Sequence, residues 1–229
     1  MTRISSKQNP VIKRIRAAIR GDGDEIVLEG RKAIADAIAG DWLPIDVLER
    51  GVDVTDELFD TLSQTRTPQG VLGLFARPRT TAASILARRD TIAIALDGVQ
   101  DPGNVGTIVR LAAAFDAAGV LLLPGCADAF GPKAIRSSAG AILTTPVASI
   151  TVEELLAADV PLVATAMSGA PMPTPAKNAV LVFGNEGAGV SEELLRHSTL
   201  LAIPMSGRVE SLNVASSAAI LLAQSFGVR

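Results

Sequence analysis

Thr91-Ile92-Ala93-Ile94-Ala95-Leu96-Asp97-Gly98-Val99-Gln100-Asp101-Pro102-Gly103-Asn104-Val105-Gly106-Thr107-Ile108-Val109-Arg110 decides the fold. Residues 91–96 form an unbroken apolar run, the pattern of a strand buried on both faces in a parallel sheet. A polar loop then leads into a helix over residues 103–115. Strand, polar loop and helix make the opening half of a βαβ unit, whose ligands bind at the strand C-terminal ends.

Downstream the alternation continues. Strands are expected at 120–123, 145–148, 162–166, 180–183 and 200–203, with helices at 132–138, after Ser191, and from about 212 to 226. Thr151-Val152-Glu153-Glu154 reads as a capping box with an Ile150/Leu155 staple, so another helix starts there. A Pro-rich loop covers 170–175. The expected fold is α/β, with a mostly parallel sheet over residues 91–229.

Upstream lies a smaller α/β unit, residues 1–77, joined by a linker at 78–90. Asn9-Pro10 reads as a helix N-cap followed by proline at the first helical position, with Val11, Ile12, Ile15 and Ile19 on one face. Strands at 26–28, 45–48 and 71–76 alternate with helices at 33–39 and 55–64.

The 229 residues are 48% hydrophobic, enough for a sizeable core, and no apolar run reaches 18 residues. The N-terminus does not lead into a signal-peptide apolar region, so a cytoplasmic protein is expected, with no membrane partner. Cys126 and His197 are the single cysteine and histidine, which excludes a Cys/His zinc cluster or a disulfide within the chain; both read as structural, and no metal is expected. Net charge is −3, which argues against coating nucleic acid through bulk charge. The distribution is uneven, however. The first twenty residues hold Arg3, Lys7, Lys13, Arg14, Arg16 and Arg20 and no acid, whereas from Thr91 onward seven basic residues face eleven acidic ones. A localised polyanion contact at the N-terminal face is expected, a solvated helix face being the plain alternative.

Three polar loops carry the chemistry. In the first, Asn104 stands near a helix N-terminus and Arg110 follows in a strongly apolar helix, where a buried unpaired guanidinium would be too costly without a function. The second, Phe183-Gly184-Asn185-Glu186-Gly187-Ala188-Gly189-Val190-Ser191, is glycine-rich and places Glu186 at a strand end, without the pattern of a Walker A loop or a dinucleotide fingerprint. The third runs from Ile203-Pro204-Met205-Ser206-Gly207 to Ser211-Leu212-Asn213-Val214 and enters a small-residue helix.

In order and spacing these loops resemble the three motifs of the SpoU (TrmH) family of RNA ribose 2'-O-methyltransferases, within the SPOUT superfamily. The matching residues are Asp101-Pro102-x-Asn104-x-Gly106-x-Ile108-x-Arg110, Phe183-Gly184-x-Glu186-x-x-Gly189-x-Ser191, and Ile203-Pro204-Met205-x-Gly207 with Ser211-Leu212-Asn213-Val214. Leu111 stands where the family commonly has Thr, and Ala215 where Ser is common. Ser6-Lys7-Gln8-Asn9-Pro10, Leu28-Glu29-Gly30 and Thr67-Pro68-Gln69-Gly70-Val71 resemble, more loosely, the ribosomal-protein-like RNA-binding domain of thiostrepton-resistance-type members.

The resemblance implies a trefoil-knotted site for S-adenosylmethionine, a homodimer, and an RNA substrate, ribosomal RNA before tRNA. It implies Arg110, Asn104, Glu186, Ser211 and Asn213 as the catalytic set. Ala166, Gly184, Asn185, Gly187, Ile203, Met205 and Leu212 would hold the cofactor, and Lys7, Lys13, Arg14, Arg16 and Arg31 the RNA. An RNA-binding pseudo-enzyme is the reading from another class, opposed by the complete motif set.

Overall fold

The computed structural model describes residues 3–65, 67–170 and 177–226, so residues 171–175 of the Pro-rich loop lie outside the described residues. The chain divides into two units, one of Met1–Pro78 with Phe130–Pro132 and the other of Arg79–Ala129 with Lys133–Arg229.

In the first unit, helix α1 (Pro10–Arg20) starts as its sequence dictates: the Asn9 side chain accepts from the Val11 N–H at 2.9 Å, and Pro10 supplies a preset φ. Ile12 and Ile15 are completely buried, each contributing about 1.5–3 kcal/mol of apolar transfer. Strands β1 (Glu25–Glu29), β2 (Pro44–Glu49) and β3 (Val71–Ala76) form an antiparallel sheet with β3 in the centre, accompanied by α2 (Arg31–Ala39) and α3 (Asp56–Asp60). The Glu29 carboxylate closes one end. It accepts from Ser63 Oγ at 2.8 Å, Thr65 Oγ1 at 2.9 Å, and the N–H groups of Gln64 and Gln69 at 3.0 Å each. Residues after α3 are therefore a pinned loop, and the expected 55–64 helix stops at Asp60.

The second unit starts earlier than expected. Residues 79–90 are part of it and not a linker: α4 (Ala82–Leu86) is N-capped by Thr81 and buries Ile85 in the core. Strands β4 (Ala93–Asp97), β5 (Val120–Leu122), β6 (Val147–Ser149), β7 (Leu162–Ala170), β8 (Val180–Gly184) and β9 (Thr199–Leu201) form one parallel sheet ordered β6-β5-β4-β8-β7-β9. All five residues of β8 are buried, in keeping with a strand covered on both faces.

Helices α5 (Pro102–Ala114), α6 (Pro132–Ser137), α7 (Val152–Leu156), α8 (Glu192–Arg196) and α9 (Val214–Ser225) connect the strands or cover the sheet. The Thr151/Glu154 capping box is formed in both directions. Ser191 occupies the N-cap position of α8 but its side chain makes no capping bond; its N–H donates instead to Asp97 Oδ2 at 2.7 Å. Gly106 is dictated by packing, because a Cβ there would lie 2.2 Å from the Ala134 carbonyl oxygen and 2.8 Å from Ser137 Cβ. The backbones of α5 and α6 are thus in direct contact.

Candidate active site

Strands β4 and β8 are neighbours, paired through Asp97↔Gly184, so the loops that follow them leave the sheet side by side. The β8 loop is built around Asn185. Its Oδ1 accepts from the N–H groups of Gly187 at 2.8 Å and Ala188 at 2.9 Å, and its Nδ2 donates to the Gly98 carbonyl at 2.8 Å. Asn185 and Gly189 also exchange backbone hydrogen bonds. Gly184 fits only without a side chain, since a Cβ would meet Gly189 C and Val190 N at 2.1 Å.

This loop delivers Glu186 to the start of α5. Glu186 Oε1 accepts from Asn104 Nδ2 at 2.9 Å, and the Gln100 and Asp101 N–H groups approach the carboxylate at 3.4 and 3.5 Å. Asn104 Oδ1 accepts from Asn213 Nδ2 at 3.0 Å, and Asn213 Oδ1 caps α9 by accepting from the N–H groups of Ala215 and Ser216 at 2.9 and 3.2 Å. The chain of bonds has one possible sense. A carboxylate only accepts and helix N–H groups only donate, so both amides are fixed in orientation.

Partial burial by itself raises the proton affinity of Glu186, but the Asn104 amide and the surrounding backbone N–H groups outweigh it and hold the carboxyl below its ordinary range. It is an anchoring anion at neutral pH. Asp101 supports the same corner: Lys133 Nζ lies 2.6 Å from its Oδ1, which also caps Gly103 N–H at 2.9 Å, and these bonds, Lys133 first, lower its pKa.

Three of the five expected catalytic residues, Asn104, Glu186 and Asn213, are therefore joined directly. The side chains of Arg110 and Ser211 are exposed and make no hydrogen bond or ion pair with described residues. The expected burial of Arg110 is overturned: the apolar residues beside it, Val109 and Ile108, turn inward while position 110 faces solvent.

Among the residues expected to hold a cofactor, Gly184, Asn185 and Gly187 shape the β8 loop, and the Asn185 side chain ties it to the Gly98 carbonyl of the loop after β4. Ala166 and Ile203 are half-buried, the first within β7 at the register shift between Thr165 and Ala170, the second in the loop beyond β9. Met205 and Leu212 are 40% and 37% exposed on a loop whose residues 204–211 form no hydrogen bond with described residues. Free main-chain groups flanked by exposed apolar side chains fit a nucleoside, which has polar edges and apolar faces.

The N-terminal basic residues are less free than their sequence implies. Arg14 pairs with Glu25, Arg31 with Glu49, and Arg16 donates to Thr61 Oγ1 at 3.1 Å. Lys7 and Lys13 are exposed and unpaired among the described residues. Cys126 Sγ bonds the Leu96 carbonyl at 3.0 Å and His197 Nδ1 lies 2.9 Å from the Glu193 carbonyl, consistent with structural roles. Among the described residues no group of three His, Cys, Asp or Glu could hold a metal, and no helix is long and apolar enough to cross a membrane.

Residues missed from the sequence are Asp97, Asp101 and Lys133. Asp101 opens the first motif, but its pairing with Lys133 crosses 32 positions and has no local signal.

The family model for the SpoU rRNA Methylase family matches residues 91–223. The 23S rRNA (guanosine(2553)-2'-O)-methyltransferase RlmP of Bacillus subtilis (strain 168) is 38% identical over 191 residues, covering 79% of this chain and 75% of that protein. Among solved structures, an AdoMet-bound rRNA methyltransferase from Sinorhizobium meliloti has a TM-score of 0.87 at 29% identity, covering 98% of this chain and 97% of the other. The SpoU methyltransferase AviRb from Streptomyces viridochromogenes, in complex with AdoMet, shares the fold with a TM-score of 0.85 at 24% identity, over 96% of this chain and 97% of its own.

Proposed function

The chain belongs to the SpoU rRNA methylase family, and from that premise we propose that it methylates a ribose 2'-hydroxyl of ribosomal RNA with S-adenosylmethionine as methyl donor. The observation that carries the assignment is the Glu186–Asn104–Asn213 chain, which ties the three motif loops into one polar corner at the strand ends. When bound, S-adenosylmethionine supplies a methyl group on a positively charged sulfur, open to displacement by a ribose oxygen.

The remaining chemistry belongs to the chain's own residues. Gly184, Ile203, Met205 and Leu212 would hold the cofactor through main-chain groups and apolar contact. Glu186 keeps Asn104 and Asn213 in fixed orientation, a preorganisation that requires no rearrangement as charge develops. None of these three is a good base: amides do not take up a proton near neutral pH, and Glu186 is stabilised as an anion. Arg110, whose side chain is free of partners among the described residues, grips the phosphate beside the target ribose and stabilises the ribose oxygen as its proton passes to solvent water and the new O–CH3 bond replaces the donor's S–CH3 bond, leaving a neutral thioether; orientation supplies much of the acceleration. Ser211, exposed just before Asn213, completes the polar wall.

Three further features follow from this reading. The chain returns from edge strand β9 to pack α9 on α5, the route that a threaded, knotted C-terminus requires. Ile220 and Phe226 of the α9 segment are 37% and 59% exposed, which suits pairing with a second copy. In this reading the chain acts in the cytoplasm.

The test is transfer of labelled methyl from S-adenosylmethionine to unmodified rRNA and tRNA, with cofactor affinity measured in parallel. Label in rRNA supports the assignment. Label confined to tRNA would move the substrate, and cofactor binding without label in either RNA would indicate a pseudo-enzyme.

A further inference from the structure

Arg136 of α6 has no role in the site described above. Its side chain is exposed and makes no hydrogen bond or ion pair with described residues. Arg14, Arg20, Arg31, Arg50 and Arg88, by contrast, each face a carboxylate within 4.0 Å.

A cation in the last turn of a helix can stabilise its carbonyl end. The carbonyls at this end already have donors. The Ala134 carbonyl accepts from Ser138 N–H at 2.9 Å, the Ile135 carbonyl from Ser138 Oγ at 2.7 Å, and the Arg136 carbonyl from Ala139 N–H at 3.1 Å. The guanidinium is left over.

Its placement is set by backbone contact. Gly106 of α5 meets Ala134 and Ser137 of α6, and the space above Gly103 is occupied by the Lys133 side chain. Lys133 and Arg136 are three positions apart and share a helix face. Ala134, completely buried, points to the opposite side. On α5, Gly103 and Arg110 lie on one stripe, seven residues or roughly 10 Å apart along the axis. Lys133 and Arg110 thus occupy two levels of one α5–α6 surface, and Arg136 stands one turn along α6 from Lys133. Asp101 offsets one of the three charges, which leaves a net positive surface on a unit that is otherwise acidic.

We propose that Arg136, with Lys133, extends from Arg110 a track on the α5–α6 surface for the RNA backbone phosphates that flank the methylated nucleotide. The track rests on the RNA-methyltransferase reading above. It would grip phosphates without reading sequence, so its contribution is electrostatic and salt-dependent.

The experiment measures affinity of the full chain for an unmodified rRNA transcript across a salt series, for wild type, Arg136→Gln, Arg136→Lys and Lys133→Gln/Arg136→Gln. Arg136→Gln lowers the slope of log affinity against log salt by about 1, the double variant lowers it further, and Arg136→Lys restores the wild-type slope. The kcat at saturating RNA and the cofactor Kd stay at wild-type values for Arg136→Gln. An Arg136→Gln slope equal to wild type, in a chain that still methylates rRNA, overturns the track and leaves the enzyme assignment intact. Wild-type chain that neither binds nor methylates RNA overturns both.

Discussion

Asn213 Nδ2 donates to Asn104 Oδ1 at 3.0 Å, joining positions 109 residues apart through a single hydrogen bond. Because Asn104 also donates to Glu186, one side chain on α5 links the loop before α9 to the loop after β8. Asn104→Asp removes the donor and sets a second carboxylate against Glu186, whereas Asn104→Ala only removes the bonds. Loss of kcat on the order of 10²-fold is expected for Asn104→Ala, and a greater loss for Asn104→Asp, in single-turnover methyl transfer.

Glu186 has its pKa lowered in the folded chain, so its stabilisation is complete above the unfolded-state carboxyl pKa and disappears as pH falls through the lower folded value. Thermal midpoints of wild type and Glu186→Gln should therefore differ most near neutral pH and converge on acidification. A difference that grows as pH falls would contradict the anchoring role.

How much of this corner was legible in the sequence follows from how local each signal is. The Asn9 and Thr151 caps act within three residues, and both were readable. The motif spacing marked Asn104, Glu186 and Asn213 as a set through family resemblance, but which of them touch depends on β4 and β8 being adjacent, a matter of strand order that periodicity does not encode. Arg110 misled because its neighbours are apolar; helical geometry turns those neighbours inward and leaves the arginine in solvent. The basic N-terminal helix misled in the opposite way. The first twenty residues of the chain hold no acid, yet folding brings Glu25 to Arg14 and leaves the side chains of Arg3, Lys7 and Lys13 unpaired among the described residues.

Gly184→Ala forces a Cβ into the backbone of Gly189 and Val190. Overpacking of this kind costs about 1–3 kcal/mol, and here no flexible side chain can yield. The thermal midpoint should fall and cofactor affinity should fall with it, by calorimetry, since the same loop positions Glu186.

Lys7→Gln/Lys13→Gln should flatten the salt dependence of RNA binding by about 1 for each phosphate no longer gripped, while Arg14→Gln, whose guanidinium already serves Glu25, should change it less. Equal effects would mean that the Arg14–Glu25 pair opens on RNA.

The identity of the methylated atom tests the central claim most directly. Unmodified rRNA is incubated with the chain and S-adenosylmethionine labelled in its methyl group, then hydrolysed with alkali, which cleaves only where a free 2'-hydroxyl can attack the adjacent phosphate. Label recovered in alkali-resistant dinucleotides, and lost with Arg110→Ala while cofactor binding persists, is the predicted result. Label recovered in mononucleotides, which would place the methyl on a base, would contradict the account.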